Sequence, residues 1–242
     1  MWLTDRVGLV ASGDMGFSMT HPSDCNVYLV RCRDSCILID AGTGLDHDGI
    51  LQNIRDMTAD PVTHILVTHH HADHIGGLQK MRRVLGAVTV VPLAEADSIR
   101  NGDETAIGLD IARNAGYYPS DYHVFPCEVD QTVSPGDVLK IGGKTIRVCP
   151  GTGHSLGGVC YYFQEDRILF VGDLLMHGGR INLQNIPGAD LHRYADSVLA
   201  LEQLDVEQFF SGHGCFSLRN GKQHIARAAA AFRSLGIPEN FI

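Results

Sequence analysis

The hydrophobic positions of the chain fall into short runs separated by glycine, proline and small polar residues, a pattern typical of strands and turns. Apolar runs at 27–30 and 36–40 flank a polar turn and predict a β-hairpin. Another run at 65–67 follows Pro61 and predicts a buried strand. Further strands are expected at 87–91, 138–141, 145–148, 158–163, 168–171 and 208–210.

Apolar residues at helical spacing occur between these runs. Helices are expected over 49–55, 78–85, 104–115, 190–204 and 222–234. No linker rich in glycine, serine or proline interrupts the alternation, and the sequence has no internal repeat or low-complexity segment. The pattern therefore predicts a mixed α/β fold and one domain over residues 1–242.

The composition excludes a disordered chain and argues against a nucleic-acid-binding protein. With 44% hydrophobic and 19% charged residues, a chain of 242 residues can bury a sizeable core and is not a disordered chain. Its 19 basic and 28 acidic residues give a formal net charge of −9. Because such a surface repels phosphate backbones, nucleic acid is not an expected partner.

Targeting signals are not expected from the sequence. No apolar run approaches the ~18 residues of a membrane helix, and no basic head precedes an apolar stretch near Met1. We therefore expect neither a membrane segment nor a secretory signal. The seven cysteines are scattered from Cys25 to Cys215 without a CxxC pair. Such cysteines are typical of reduced thiols, so a cytoplasmic location is expected.

The candidate chemistry lies directly after the strand at 65–67, in the segment Thr-His-His-His-Ala-Asp-His-Ile-Gly-Gly at 68–77. In extended backbone His69 and His71 point the same way, and His70 points the other way. Asp73 and His74 follow at the expected start of a helix. Imidazole and carboxylate groups suit zinc, iron or manganese, and two neighbouring groups of ligands can serve two adjacent ions. A solvated histidine turn is the structural alternative, but it leaves the Asp-His pair unexplained.

Three later strands also end in a glycine followed closely by a possible ligand. These ligands are His154, Asp173 and His213. Each of them alone could be an ordinary turn residue. Together with the segment at 68–77, they would complete two coordination shells.

These seven residues, in this order, resemble the metallo-β-lactamase-fold hydrolase superfamily. Its HxHxDH motif is present at 69–74, and the similarity extends from Asn26 to Gly214. The resemblance implies an αββα sandwich of four layers, with two facing mixed sheets, helices outside and metal ions at one edge.

The resemblance also implies how the ligands are shared. The first ion would be held by His69, His71 and His154, the second by Asp73, His74 and His213, and both by Asp173. Two Zn²⁺ ions are expected, with iron or manganese as possible replacements. Such a pair would generate hydroxide at neutral pH and polarise a substrate carbonyl. Asp73 would orient the nucleophile and shuttle a proton.

A carboxylate at Asp173 indicates the glyoxalase II-like and lactonase-like branch of the family. Met176 stands where some β-lactamases carry a lysine and some lactonases a tyrosine, which weakens both assignments. We expect hydrolysis of an ester, lactone, thioester or amide bond in a small-molecule substrate. A mononuclear-iron persulfide dioxygenase, a β-lactamase-type hydrolase and a non-catalytic metal-binding sensor remain alternatives.

Residues around the ligands have weaker signals. Asp40 is expected to accept a hydrogen bond from a ligand imidazole such as His69, or else to cap a turn. Arg180 would support its loop or meet an anionic substrate, and His177 is a candidate acid or a surface residue. The segment 14–20 would be a flap or a half-buried strand. The insert 101–130 would be a lid or packed surface structure.

Overall fold

The computed structural model describes residues 1–242 and contains two β-sheets, one in each of two compact units. The first unit is Met1–Val133 and the second is Ser134–Ile242. The predicted mixed α/β fold is confirmed. The expectation of a single domain stays a prediction.

The first unit contains a six-stranded sheet with its strands in sequence order. The strands are β1 Val7–Ala11, β2 Val27–Arg31, β3 Cys36–Ile39, β4 Val62–Leu66, β5 Val88–Pro92 and β6 Gln131–Val133. The pairs from β1 to β3 are antiparallel, and those from β3 to β6 are parallel. The expected hairpin is therefore confirmed as β2 and β3, with Tyr28 opposite Ile39. β1 and β6 were not predicted.

The helices of the first unit connect its parallel strands, as such a sheet requires. They are α1 His47–Met57, α2 Ala72–Ile75, α3 Leu78–Leu85, α4 Ala96–Asn101, α5 Glu104–Ile107 and α6 Leu109–Asn114. The single helix expected over 104–115 is wrong. Gly108, with a φ of 78°, ends α5 in the left-handed region and divides that stretch into α5 and α6.

The second unit contains a five-stranded sheet in the order β11-β10-β9-β8-β7. Its elements are β7 Val138–Ile141, β8 Lys144–Pro150, β9 Val159–Phe163, β10 Ile168–Phe170, α7 Leu191–Leu201, β11 Gln208–Phe210 and α8 Lys222–Arg233. Only β10 and β11 run parallel; the other neighbours are antiparallel. The strands and helices of this unit were all predicted within a few residues of their ends. Each unit encloses a buried apolar cluster of its own.

His224 is a buried titratable group in α8. Its Nδ1 accepts a hydrogen bond from the backbone N–H of Gly178 at 3.0 Å, and its Nε2 lies 2.5 Å from the Ser217 hydroxyl oxygen. Because Nδ1 accepts, Nε2 carries the proton and donates it to Ser217. Burial, with smaller contributions from His177 and Arg227, lowers the pKa of His224 to about 4.

From the lowered pKa of His224, we predict that the unfolding free energy decreases in mild acid. Because the pKa of His224 in the folded chain lies below the ordinary value of about 6.5, protons bind preferentially to the unfolded chain. The contribution present above about pH 6.5 is therefore lost as pH falls toward 4. In urea denaturation, the His224→Gln variant should show a smaller drop in unfolding free energy over this interval. The control His192→Gln, at an exposed position of α7, should keep the wild-type drop. Parallel curves for wild type and His224→Gln would contradict the prediction.

Candidate metal centre

The loop after β4 places the candidate ligands of the first unit. His69 and His71 lie in the loop, and Asp73 and His74 lie in α2. The ring centroid of His69 is 4.6 Å from that of His71 and 4.1 Å from that of His74. The Asp73 Oδ2 atom is 3.5 Å from the His74 Nε2 atom. The structure therefore brings these four side chains of the motif together.

Asp40 fixes the orientation of His74 and of the start of the loop after β4. It follows β3 and is buried, and its carboxylate accepts hydrogen bonds from the Thr68 backbone N–H at 2.7 Å and the Thr68 hydroxyl at 2.8 Å. It also contacts His74 Nδ1 at 2.8 Å. The φ of Asp40 is 61°, a left-handed conformation that aspartate tolerates better than most residues. Asp40 thus contacts the imidazole of a candidate ligand, as expected from the sequence, and that imidazole is His74.

Thr68 extends this contact to His69. Since its hydroxyl proton goes to Asp40, its oxygen is left to accept from His69 Nδ1, which lies 3.1 Å away. Both imidazoles therefore carry their proton on Nδ1. That tautomer leaves Nε2 as the ligating nitrogen, which is how proteins commonly prepare histidines for a metal ion.

Glu95 supports the same loop from another side and was missed by the sequence analysis. This buried carboxylate accepts from the backbone N–H of His70 at 2.8 Å. The hydroxyl of Ser98 donates to the Glu95 carbonyl at 2.8 Å, so its oxygen accepts from His70 Nδ1 at 2.8 Å. His70 therefore has structural partners of its own. No motif marks Glu95, because a single acidic residue after a strand is common in any sequence.

A third group of possible donors, made by Cys25, Asp40 and His74, is less suited to a metal. Asp40 already accepts three hydrogen bonds there. Burial raises the pKa of the Cys25 thiol to about 12, so the thiol is protonated at neutral pH. We interpret this group as support for His74.

The second unit brings its three candidate ligands together at the ends of β8, β10 and β11. The Oδ2 atom of Asp173 lies 3.5 Å from His154 Nε2 and 3.3 Å from His213 Nε2. All three residues are buried. One carboxylate oxygen therefore faces the Nε2 atoms of both histidines.

Asn182 and Tyr194 hold this second group and were also missed. The carbonyl of Asn182 lies 2.6 Å from His154 Nδ1, and its side-chain amide donates to Asp173 Oδ2 at 3.0 Å. The Tyr194 hydroxyl lies 2.9 Å from the Asn182 carbonyl. A Cβ on Gly153, whose φ is 129°, would lie 2.6 Å from the Tyr194 ring, so glycine is required beside His154. These contacts set the His154 tautomer, with Nε2 again left to ligate.

His177 and Arg180 have contacts outside these two groups. The ring of His177 lies 4.4 Å from that of His224. The Arg180 guanidinium contacts the carbonyl of His177 at 3.3 Å and lies 4.7 Å from the centroid of the Phe241 ring. These contacts are those of residues that support a loop.

Comparison with known proteins identifies the family. The model of the metallo-beta-lactamase superfamily matches residues 20–213. The chain belongs to this superfamily. The resemblance inferred from the motif is thereby confirmed.

Two relatives in the superfamily carry names of thioester hydrolases. A hydroxyacylglutathione hydrolase of Rhodospirillum rubrum is 34% identical over 159 residues, which are 65% of this chain and 50% of that protein. An acyl-coenzyme A thioesterase MBLAC2 of Homo sapiens is 30% identical over 209 residues, which are 78% of this chain and 72% of that protein. The chain therefore spans about half the length of the first relative and nearly three quarters of the second.

Solved structures show the same fold. A metallo-β-lactamase family protein from Thermus thermophilus has a TM-score of 0.72 and 20% identity, covering 96% of this chain and 81% of that one. A metallo-β-lactamase from Pontibacter korlensis has a TM-score of 0.67 and 20% identity, covering 96% and 97%. The metallo-β-lactamase fold expected from the resemblance is confirmed. None of the helices α1–α8 has the length and apolar character needed to traverse a bilayer.

From the three hydrogen bonds of Asp40, we predict that its negative charge stabilises the folded protein even without a metal ion. In Asp40→Asn, the amide would face donors on Thr68 and His74 with a donor of its own. The unfolding free energy of the metal-free protein should fall by about 1–3 kcal/mol, because buried donors lose their acceptor. Urea denaturation measures the change, with Asp121→Asn as the control at an exposed loop position. Equal stability of Asp40→Asn and wild type would show that these bonds contribute nothing.

Proposed function

We propose that this chain is a zinc-dependent hydrolase that cleaves an acyl bond of a small-molecule substrate, most specifically a thioester. The observation that carries the proposal is the carboxylate of Asp173, which meets His154 and His213 through one oxygen. A carboxylate placed in this way is suited to bridging two ions. The names of the two thioester-hydrolysing relatives support the choice of bond.

The donor set fits divalent zinc, and iron or manganese would accept the same atoms. His69 and His74 in the first unit and His154 in the second use Nδ1 for hydrogen bonds, which leaves their Nε2 atoms for coordination. Membership of the superfamily supports combining the two groups into one binuclear site. Within the proposal the first ion would be held by His69, His71 and His154, the second by Asp73, His74 and His213, and both by Asp173.

The residues of the chain contribute orientation and proton transfer. When bound, the two ions would lower the pKa of a water molecule and polarise the scissile carbonyl. The side chain of Asp73 is 14% exposed, whereas that of His74 is fully buried, so Asp73 is the group with access to solvent. We assign to Asp73 the orientation of the attacking water and the later transfer of a proton to the leaving group. Asp40 and Asn182 keep the ligands of each unit in place.

The setting proposed for this activity is the reducing cytoplasm, with a small molecule as the substrate and no nucleic acid partner. All seven cysteines are free thiols, and only Cys215 is exposed. Free thiols in this number support a reducing compartment.

Metal analysis combined with a substrate panel tests the proposal. The purified protein should contain about two equivalents of zinc, as the shared ligand set requires. It should hydrolyse acyl-coenzyme A or hydroxyacylglutathione thioesters faster than esters, lactones or cephalosporins. One equivalent of iron, with oxygen uptake on glutathione persulfide, would instead show a dioxygenase. Full zinc occupancy without any turnover would favour a metal-binding sensor.

Asp73→Ala tests the assigned role of the carboxylate. Turnover should fall by about 100- to 10,000-fold, since a general acid–base group is removed. The fold should persist because this side chain is only partly buried, and circular dichroism checks that point. Asp48→Ala, an exposed carboxylate in α1, is the control and should keep wild-type turnover. Unchanged turnover in Asp73→Ala would remove Asp73 from the mechanism.

A further inference from the structure

The insert 101–130 reaches the ligand helix α2 through the hydroxyl of Tyr122. This hydroxyl donates to the carbonyl of Thr43 at 2.8 Å and lies 3.3 Å from the carbonyl of Ala72, the first residue of α2. Its single proton is shared between two acceptors, with the shorter bond to Thr43. Because Tyr122 is buried, these contacts form away from bulk solvent. The hydroxyl therefore links three segments, namely the insert, the loop after β3 and α2.

Three oxygen atoms converge on Gly76, the residue that follows α2. A Cβ on Gly76 would lie 2.0 Å from the hydroxyl oxygen of Tyr122 and 2.3 Å from the carbonyl oxygen of Thr43. It would lie 2.7 Å from the carbonyl oxygen of Ala72. The φ of Gly76 is −58°, an ordinary helical value that most residues adopt. Glycine is therefore required here by the close approach of these oxygens rather than by the backbone conformation.

The loop after β3 gives the Tyr122 hydroxyl a fixed acceptor. The buried carboxylate of Asp24 accepts from the backbone N–H of Thr43 at 2.8 Å and from its hydroxyl at 2.6 Å. In the same loop, the backbone N–H of Ala41 donates to the carbonyl of His74 at 2.8 Å. The loop thus contacts α2 directly at His74, and Tyr122 joins it to the start of the helix.

Further contacts hold the segment of the insert that carries Tyr122. Arg113 donates to the Tyr122 carbonyl at 2.6 Å and forms an ion pair with Glu104 at 2.6 Å. The hydroxyl of Ser23 donates to the carbonyl of Tyr117 at 3.4 Å. The insert is thus held at several points within the first unit, and Tyr122 is presented to α2 from a supported backbone.

We propose that Tyr122 is a positioning residue for α2, the helix that carries Asp73 and His74. By joining the start of α2 to the carbonyl of Thr43, its hydroxyl sets the place of the helix relative to the loop after β3. Asp40 contacts His74 Nδ1 from that loop at 2.8 Å, so a displaced helix would take the imidazole away from its partner. The inference rests on the proposed function, in which Asp73 and His74 are ligands. Groups that orient ligands tune metal affinity and activity.

The Tyr122→Phe variant tests this role, because it keeps the ring and removes the hydroxyl. In competition with a zinc chelator, one of the two zinc equivalents should lose about 10-fold in affinity, since α2 supplies ligands to one of the two ions. With zinc saturating, kcat on the best thioester of the panel should fall while KM changes little, since this hydroxyl is buried against backbone.

Tyr162→Phe is the matched control in the second unit. It removes the hydroxyl of a buried tyrosine that donates to the backbone carbonyl of Asp205 at 2.7 Å. The fold therefore loses a comparable hydrogen bond, but zinc affinity and kcat should keep their wild-type values. An equal loss of zinc affinity in both variants would show a general effect of stability and overturn the proposal.

Amide hydrogen exchange of the metal-free protein reports on α2 without zinc. Residues 72–77 should exchange faster in Tyr122→Phe than in the wild type, and they should be unchanged in Tyr162→Phe. Wild-type zinc affinity in Tyr122→Phe would overturn the proposal, and faster exchange in that case would show a purely structural contact. If the wild-type chain binds zinc but hydrolyses nothing, the proposed function fails while the affinity and exchange comparisons still decide the role of Tyr122.

The Gly76→Ala variant tests the same junction from the side of the helix. Its methyl group would displace the Tyr122 hydroxyl, so zinc affinity should fall at least as far as in Tyr122→Phe. In the double variant, the alanine should cost less additional zinc affinity than it costs the wild type, because the hydroxyl that it displaces is already absent. Full additivity of the two changes would contradict a shared junction.

Discussion

The buried carboxylate of Asp40 is the constraint on which two candidate ligands of the first unit, His69 and His74, depend. Asp40 follows β3 in a left-handed backbone conformation. Its carboxylate accepts hydrogen bonds from the backbone N–H and hydroxyl of Thr68 and from Nδ1 of His74. Through the Thr68 hydroxyl it also sets the proton of His69. One negative charge, placed away from solvent, thereby determines the tautomer of two imidazoles. The carbonyl of Asn182 does the same for His154 with a neutral acceptor.

Much of this arrangement could be predicted from sequence because it follows the ends of strands. Apolar runs locate the strands, and His154, Asp173 and His213 come just after three of them. Neighbouring strand ends meet at a common edge, which makes such residues candidates for one site. Helical spacing of apolar residues likewise predicts α1, α3, α7 and α8, but α4 was not predicted, and Gly108 divides one continuous helical pattern with its left-handed backbone.

The supporting contacts could not be predicted, because they join positions that have no fixed spacing. Glu95 and His70 are 25 residues apart, and Asp40 and His74 are 34 apart. Asn182 contacts His154 through its backbone carbonyl and Asp173 through its side-chain amide. Because every residue has a backbone carbonyl, the identity of residue 182 does not reveal the first contact. Sequence patterns report burial and periodicity. Pairing between distant polar groups depends on the path of the chain, which only the folded structure supplies.

The close approach of Tyr122 to Gly76 has a consequence for how this protein can change. Any side chain at position 76 would displace the hydroxyl of Tyr122, and with it the attachment of the insert to α2. The insert and the ligand helix are therefore not independent modules. An exchange of the insert for that of another protein would have to be accompanied by a compatible residue at position 76. Diversification of this surface is thus tied to a position that itself carries no side chain.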